Sequence, residues 1–304
     1  MPTSDNPNYG IRPTLDELIA LRARVLAWPP PQRAHGSASG LATSPARGRG
    51  MDYAESRLYA QGDDARHIDW RVTARTGVAH TKVFHAERDR VTWLIADTSP
   101  YLYFGTRRCF KSVLAAQVGA LTAWAAQRSG DRISVLRGSQ SEAPLPPAGG
   151  SRGALRALDA LNRWYQTPLA DDLGIDFALQ AAGRLCKPGS RLVALLDPRS
   201  IDSVSDARLT ALSAHHDVLA VLFVDPLELA PPSAQLAFMH DASRIELDLS
   251  DPKLRLAWLH AFSERFDAAC ARLRRLGWRA LPIRTDESAD QVLTALLPYR
   301  REAA

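Results

Sequence analysis

VTWLIADTSPYLYFGTRRCFKSVLAAQVGALTAWAAQRSGDRISVLR, residues 91–137, decides the fold. It opens on an unbroken apolar run, Val91–Ala96, rich in residues that favour strands, and breaks at Asp97-Thr98-Ser99. Phe110, Val113, Leu114, Gln117, Val118, Leu121 and Trp124 then recur at helical spacing, and Gly130 stands where a left-handed residue ends a helix. Residues 132–136 resume a strand. A strand without polar alternation is buried on both faces, and a helix between two such strands lets them pair in parallel.

The same alternation continues downstream. Two helical stretches within 151–186 precede a strand at 191–196, a helix near 206–214 and a strand at 218–224. Residues 244–249 (RIELDL) read as an edge strand of the sheet. Asp251-Pro252 starts the longest helix, with Leu259, Phe262, Phe266, Leu273 and Leu276 as its buried stripe, and Gly277 ends it. A strand at 279–283 and a short helix at 289–297 close the pattern. Residues 91–304 are therefore expected to form an α/β domain with a doubly wound, mostly parallel sheet of Rossmann type.

Upstream, Thr14 and Glu17 form a capping box ahead of Leu18, Leu21, Val25 and Trp28, so 13–28 predicts an amphipathic helix. It stops at Pro29-Pro30-Pro31, and an irregular basic loop with Arg33, Arg47 and Arg49 completes a segment 1–47. In 48–90, Ile68, Trp70 and Val72 alternate with polar neighbours as in a half-buried strand, and a turn at Thr76-Gly77 leads to a second strand through Val83-Phe84. A small β-rich unit is expected there.

Composition narrows the function. The chain has 304 residues, 46% of them hydrophobic, enough for a packed core of its own. No apolar run approaches the length of a membrane span and the N-terminus lacks a secretory pattern, so a cytoplasmic address without membrane insertion is expected. Cys109, Cys186 and Cys270 are scattered, which gives neither a disulfide framework nor a thiolate zinc site. The net charge of +5 is spread along the chain, and only Lys82, Lys111, Lys187 and Lys253 among 38 basic residues are lysines. Without local clustering, no nucleic-acid face is expected.

GRGMDYAESRLYAQGDDARHIDWRVTARTGVAHTKVFHAERDR, residues 48–90, resembles the signature block of the domain-of-unknown-function 58 family. Tyr59, Gly62-Asp63-Asp64, Arg66, Ile68-Asp69-Trp70, Ala74-Arg75 and Glu87-Arg88 carry the resemblance most clearly. It continues at Asp97-Thr98-Ser99, Phe104-Gly105, Lys111, Lys187-Pro188-Gly189-Ser190 and Val224-Asp225-Pro226-Leu227-Glu228. Asp63, Asp64, Arg66, Asp69, Arg71 and Arg75 crowd six charges of both signs into thirteen residues, as a salt-bridge network or a partner-docking surface would require.

The resemblance implies a von Willebrand factor A-like domain. In such domains the loop after the first strand carries Asp-x-Ser-x-Ser and, with a Thr and an Asp from later loops, holds Mg²⁺. Here Asp97 and Ser99 stand in that loop, Tyr101 replaces the second serine, and Asp197 follows the fourth strand. The middle loop offers Thr167, which precedes Pro168 as a helix N-cap would, or Asp172. The site is thus either a Mg²⁺ site or a decayed one, and a decayed one needs a compensating cation or hydrogen-bond donor near Asp97.

Other motifs fail on their chemistry. Residues 105–112 nearly spell a phosphate-binding loop, but Phe110 sits where the second glycine is required, which leaves Lys111 as an ordinary helix-start residue. His80, His85, His215 and His216 lack zinc-site spacing, and Cys109 has no context that marks a nucleophile. The family resemblance implies work beside MoxR-type AAA+ ATPases and other von Willebrand factor A proteins in assembly, maturation or cofactor insertion. A non-catalytic adaptor is the expectation, using the end of the sheet around Asp97, Ser99 and Asp197 together with the 48–75 block. The alternative is a metal-dependent hydrolase with Asp63, Asp64 and Asp69 as ligands and Asp97 nearby.

Overall fold

The structure, a computed structural model, describes residues 10–28, 51–86, 90–240 and 243–296. In chain order its elements are α1 (Leu15–Ala27), β1 (Met51–Leu58), α2 (Trp70–Thr76), β2 (His80–Ala86), β3 (Val91–Ala96) and α3 (Lys111–Arg128). There follow β4 (Arg132–Arg137), β5 (Leu145–Ala148), α4 (Gly150–Trp164), α5 (Gly174–Leu185), β6 (Arg191–Leu196), α6 (Asp206–His215) and β7 (Asp217–Val224). The chain ends with α7 (Pro226–Leu229), β8 (Gln235–His240), β9 (Ser243–Asp248), α8 (Pro252–Leu259), α9 (Arg265–Arg275), β10 (Arg279–Arg284) and α10 (Ala289–Leu296). The described residues fall into two compact units, 51–86 and the remainder.

In the larger unit six strands form one sheet in the order β10, β7, β6, β3, β4, β5. All neighbouring pairs are parallel except β4 with β5. Alternate residues of each central strand feed two separate cores. Leu94, Val193, Leu195, Leu219, Val221 and Phe223 pack with α1, α3, α4 and α10 on one face. Trp93, Ile95, Leu192, Ala194, Leu196, Ala220 and Leu222 pack with α5, α6 and α9 on the other. The unbroken apolar runs are explained by this burial on both sides.

Helix α1 belongs to this unit. Thr14 accepts from the backbone N–H of Glu17 as its N-cap, Leu18 and Val25 are buried in the first core, and the Trp124 indole donates to the Leu18 carbonyl at 3.1 Å. Arg128 closes the far end on the carbonyl of Trp28 at 2.7 Å. The basic loop expected around Arg33, Arg47 and Arg49 lies outside the described residues.

Two expectations for the sheet are corrected. Residues 244–249 do not edge the main sheet, because β9 pairs antiparallel with β8 in a two-stranded hairpin of its own. The edge is β5, whose two prolines keep it from reading as a strand and which suits an edge because proline cannot donate to a further neighbour. The long helix also departs from regularity: a π-turn at His260–Glu264 joins α8 to α9, so the buried residues lie in α9 as Ala269, Cys270 and Leu273 while Leu259 and Phe262 are half-buried.

In the smaller unit β1 and β2 form an antiparallel pair. The strand expected through Ile68, Trp70 and Val72 is instead the short helix α2. Asp69 caps it by accepting from the N–H groups of Arg71 and Val72, and Gly77 ends it at φ 75°, in the left-handed region. Alternation over so few residues fits either element, and the Asp at one end and Gly at the other decide for helix. Ile68 alone keeps a bridge, to Thr81.

Because Leu18 is fully buried between α1 and the sheet-covering helices, Leu18→Ala is expected to lower the unfolding free energy by about 2–5 kcal/mol. Urea titration followed by circular dichroism measures this. A loss below about 1 kcal/mol would mean that α1 is peripheral to the core.

Candidate functional site

The helices after β3 and β6 lie on opposite faces, so the gap between the carboxyl ends of these adjacent strands is the sheet's switch point. Asp97 and Asp197 end those two strands side by side. The Asp97 N–H donates to the Leu195 carbonyl at 3.0 Å, and one Asp97 carboxylate oxygen accepts from the Asp197 N–H at 3.0 Å. The other accepts from the Ser99 N–H at 3.0 Å, and the Ser200 hydroxyl adds a further bond. Tyr165, fully buried, donates to the Asp97 carbonyl at 3.0 Å.

Asp97 is only 1% exposed. Burial pushes its carboxyl up to about 6, helped by the charge of Asp197 and opposed by the donors from Ser200, Asp197 and Ser99. These donors are the compensation that the sequence calls for. They are dipoles rather than a cation, because the nearby ammonium serves other carboxylates.

That ammonium is Lys111. The sequence marks it as an ordinary helix-start residue, which the structure corrects: it is 0% exposed, with Nζ 2.6 Å from an Asp197 oxygen and 2.8 Å from Glu228. Arg199 grips the same carboxylate, donating from Nε at 3.0 Å and from a terminal nitrogen at 3.3 Å, and comes within 3.8 Å of Glu228. Burial raises the Asp197 carboxyl, but Lys111 and Arg199 outweigh it and hold the group below its usual value.

Glu228 is fixed by a capping box. Its second oxygen accepts from the Asp225 N–H at 2.8 Å, while the Asp225 carboxylate accepts from Leu227 N–H at the start of α7. Asp225 also binds the Thr106 hydroxyl and the Thr285 hydroxyl, each at 2.6 Å. The tight turn from Gly105 to Cys109 needs glycine, since a Cβ at Gly105 would lie 2.2 Å from the Cys109 carbonyl. The near-miss phosphate loop is thus a packed turn between the β3 loop and α3. Cys109 is buried there with its thiol pushed up to about 11, the behaviour of an inert side chain.

Above the charges sits an aromatic rim. The Arg199 guanidinium lies 4.2 Å from the Tyr101 ring centre and 5.4 Å from that of Phe262. Phe262 packs on Trp258 at 4.5 Å, and Trp258 on Phe238 at 5.6 Å. Tyr101, which replaces the expected serine, is 47% exposed and points its ring at Arg199.

The residues proposed from sequence are only partly brought together. Asp97, Ser99 and Asp197 share one buried cluster, with the Ser99 and Ser200 hydroxyls 3.2 Å apart. All three are buried. Thr167 is not an N-cap: it is exposed in a bend, and the next helix begins at Gly174. Asp172 is the middle-loop residue at the site, accepting from the Thr98 hydroxyl at 2.9 Å. One terminal nitrogen of Arg137 donates to both carboxylate oxygens of the neighbouring Asp171, at 2.8 and 2.9 Å.

In the smaller unit the signature carboxylates serve local structure. Asp63 accepts from the Ala60 N–H at 2.9 Å and Arg57 at 2.6 Å, Asp64 accepts from the Arg66 N–H, and Asp69 caps α2 while accepting from the Ser56 hydroxyl at 2.7 Å. Gly62 supplies φ 107° and the Tyr59 hydroxyl donates to the Asp63 carbonyl. Trp70 is 71% exposed, and Arg75 is exposed in the last turn of α2. Glu87 and Arg88 lie outside the described residues. Among the described residues, no group of three or more His, Cys, Asp or Glu side chains is placed to hold a metal ion, and no helix is long and apolar enough to cross a membrane.

Sequence reasoning missed Lys111, Arg199 and Glu228 as members of the site. A signal existed for Lys111: in a chain that otherwise uses arginine, a lysine at the head of an apolar helix is unusual. Glu228 stood at the end of the Val224–Glu228 stretch that resembles the family, without a role attached to it, and Arg199 gave no signal, since it reads as a solvated charge.

The sequence matches the family model described as "Protein of unknown function DUF58" over residues 55–266. An uncharacterized protein of Mycobacterium tuberculosis, Rv1480, is 30% identical over 274 residues, which cover 89% of this chain and 84% of that protein. The uncharacterized protein Mb1516 of Mycobacterium bovis is similar to the same extent, 30% over 274 residues with the same coverage of 89% and 84%.

The raised Asp97 carboxyl has a pH signature. Between pH 3.8 and about 6 the folded chain holds a proton that the unfolded chain releases, so Asp97 subtracts stability as pH rises through that window. The cost is complete above it. Asp97→Asn is therefore expected to gain roughly 3 kcal/mol relative to the unsubstituted chain between pH 4 and 7. Urea unfolding at both pH values reads the difference, and a difference that does not vary with pH contradicts the assignment.

Proposed function

The chain belongs to the DUF58 family, and from that premise we propose that it is a non-catalytic adaptor working in the cytoplasm. In this reading the larger unit is a von Willebrand factor A-like module that holds another protein at the carboxyl ends of its parallel strands. The partner is a MoxR-type AAA+ ATPase, with other von Willebrand factor A proteins in the same assembly, acting in assembly or maturation of client proteins. Neither nucleic acid nor a membrane has a part in it.

The observation that carries the proposal is the rim: Tyr101 exposed and stacked on Arg199, continued by Phe262, Trp258 and Phe238. Tyrosine, tryptophan and arginine are enriched among the residues that dominate protein interfaces: the two aromatics present a large area with few rotamers to freeze, and arginine offers a planar fork that stacks on rings and binds carboxylates. A rigid layer beneath them favours binding, since less order has to be imposed on contact. The buried layer below the rim supports the non-catalytic reading. Acid–base catalysis needs a proton-transfer group within reach of a substrate, and the carboxylates of Asp97, Asp197, Asp225 and Glu228 are buried and turned onto protein donors. What speaks against the hydrolase alternative is that, among the described residues, no group of three or more His, Cys, Asp or Glu side chains is placed to hold a metal ion, while Asp63, Asp64 and Asp69 each accept from nearby N–H groups.

The test is binding of the full chain to an immobilised MoxR-type ATPase from the same genome. Tyr101→Ala removes a ring that is 47% exposed and stacks on Arg199 while leaving the Arg199–Asp197 hydrogen bonds available, and a loss of affinity of about tenfold or more is expected with only a small drop in melting temperature. Absence of binding by the unsubstituted chain would end the proposal, and equal affinity of the variant would move the contact surface elsewhere.

A further inference from the structure

Asp197 and Glu228 bring two negative charges into a space from which water is excluded. Lys111 and Arg199 bring two positive ones, at 2.6 and 2.8 Å from Lys111 and at 3.0 Å from Arg199. We infer that Lys111 and Arg199 together replace a divalent cation at this strand end, so that the face is assembled without metal.

The charge balance is the first support: two monovalent side chains supply what one Mg²⁺ would. The second is the direction of the oxygens. A magnesium ion demands a near-octahedral set of oxygen ligands at about 2.1 Å. Here both Asp197 oxygens face Lys111 and Arg199, and one Glu228 oxygen faces Lys111 while the other faces the Asp225 N–H. Both Asp97 oxygens face backbone N–H groups. Donor hydrogens occupy the directions that metal–oxygen bonds would take.

The third support is the placing of Lys111. It is the first residue of α3, where the helix dipole disfavours a cation and where Phe110 provides no side-chain cap. Such a position gives lysine no local advantage, so its value lies in the carboxylates it meets. The residue type fits as well. An ammonium is a compact charge that can sit between two carboxylates, whereas the flat guanidinium of Arg199 grips one of them with two nitrogens. This inference goes beyond the adaptor role and does not depend on any partner.

The experiment uses the full chain, Mn²⁺ and Mg²⁺, with NaCl at matched ionic strength as control. For the unsubstituted chain the melting temperature is expected to be the same with either ion as with EDTA, and Mn²⁺ electron paramagnetic resonance to show no saturable site. Lys111→Met is expected to melt lower and to regain its melting temperature saturably with Mn²⁺, a gain that Asp197→Asn added to it abolishes. If Lys111→Met does not fold, the paired change Lys111→Met with Glu228→Gln, which deletes one charge of each sign, is expected to fold and to ignore Mn²⁺. A saturable Mn²⁺ site in the unsubstituted chain that Asp197→Asn removes would overturn the inference. So would a folded Lys111→Met indifferent to divalent ions, or a paired variant that fails to fold.

Discussion

One ammonium group, that of Lys111, held between Asp197 and Glu228, is the interaction on which the end of the sheet depends. Taking a lysine and two carboxylates out of water carries a large desolvation cost, which is offset only when every partner is in place. The requirement therefore reaches well beyond the three residues. It fixes the start of α3 against the end of β6 and against α7, three segments far apart in the sequence, and it leaves little freedom for any of them to shift alone.

Asp225 extends the same constraint to the other side of the site. It receives hydrogen bonds from Thr106 in the loop before α3, from Thr285 after β10 and from the first turn of α7. The loop before α3, the end of β7 and the end of β10 thus converge on one carboxylate, just as β6, α3 and α7 converge on the ammonium. With Asp97 tying β3 to β6 through the N–H of Asp197, the carboxyl ends of the strands form a continuous buried polar layer. The aromatic rim rests on it through Arg199, whose nitrogens bind the layer while its face supports Tyr101.

The sheet was legible because two-sided burial writes unbroken apolar runs, and β3, β4, β6, β7 and β10 all carry that mark or stand in its rhythm. The features that escaped were those that depend on partners distant in the chain. RIELDL looks the same whether it edges a large sheet or pairs with the strand before it. Ile68, Trp70 and Val72 suit a strand until the capping of Asp69 is known. Asp97, Ser99 and Asp197 are visible as a loop pattern and do meet, but Thr167 stands out only for its proline neighbour, and the fold alone shows that Asp172 is the residue tied to the Asp97 loop. Lys111 is the clearest case, because nothing adjacent to it in sequence announces the two acids it joins.

The π-turn between α8 and α9 separates two roles along one helix. An extra residue in a turn rotates the preceding segment by about a quarter of a circle relative to the segment after it. The C-terminal part, anchored by Ala269, Cys270 and Leu273, can thus stay in register with the core while the part carrying Trp258 and Phe262 is aimed separately at the rim. A chain that gained or lost one residue at this joint would present a differently turned aromatic face on an unchanged frame.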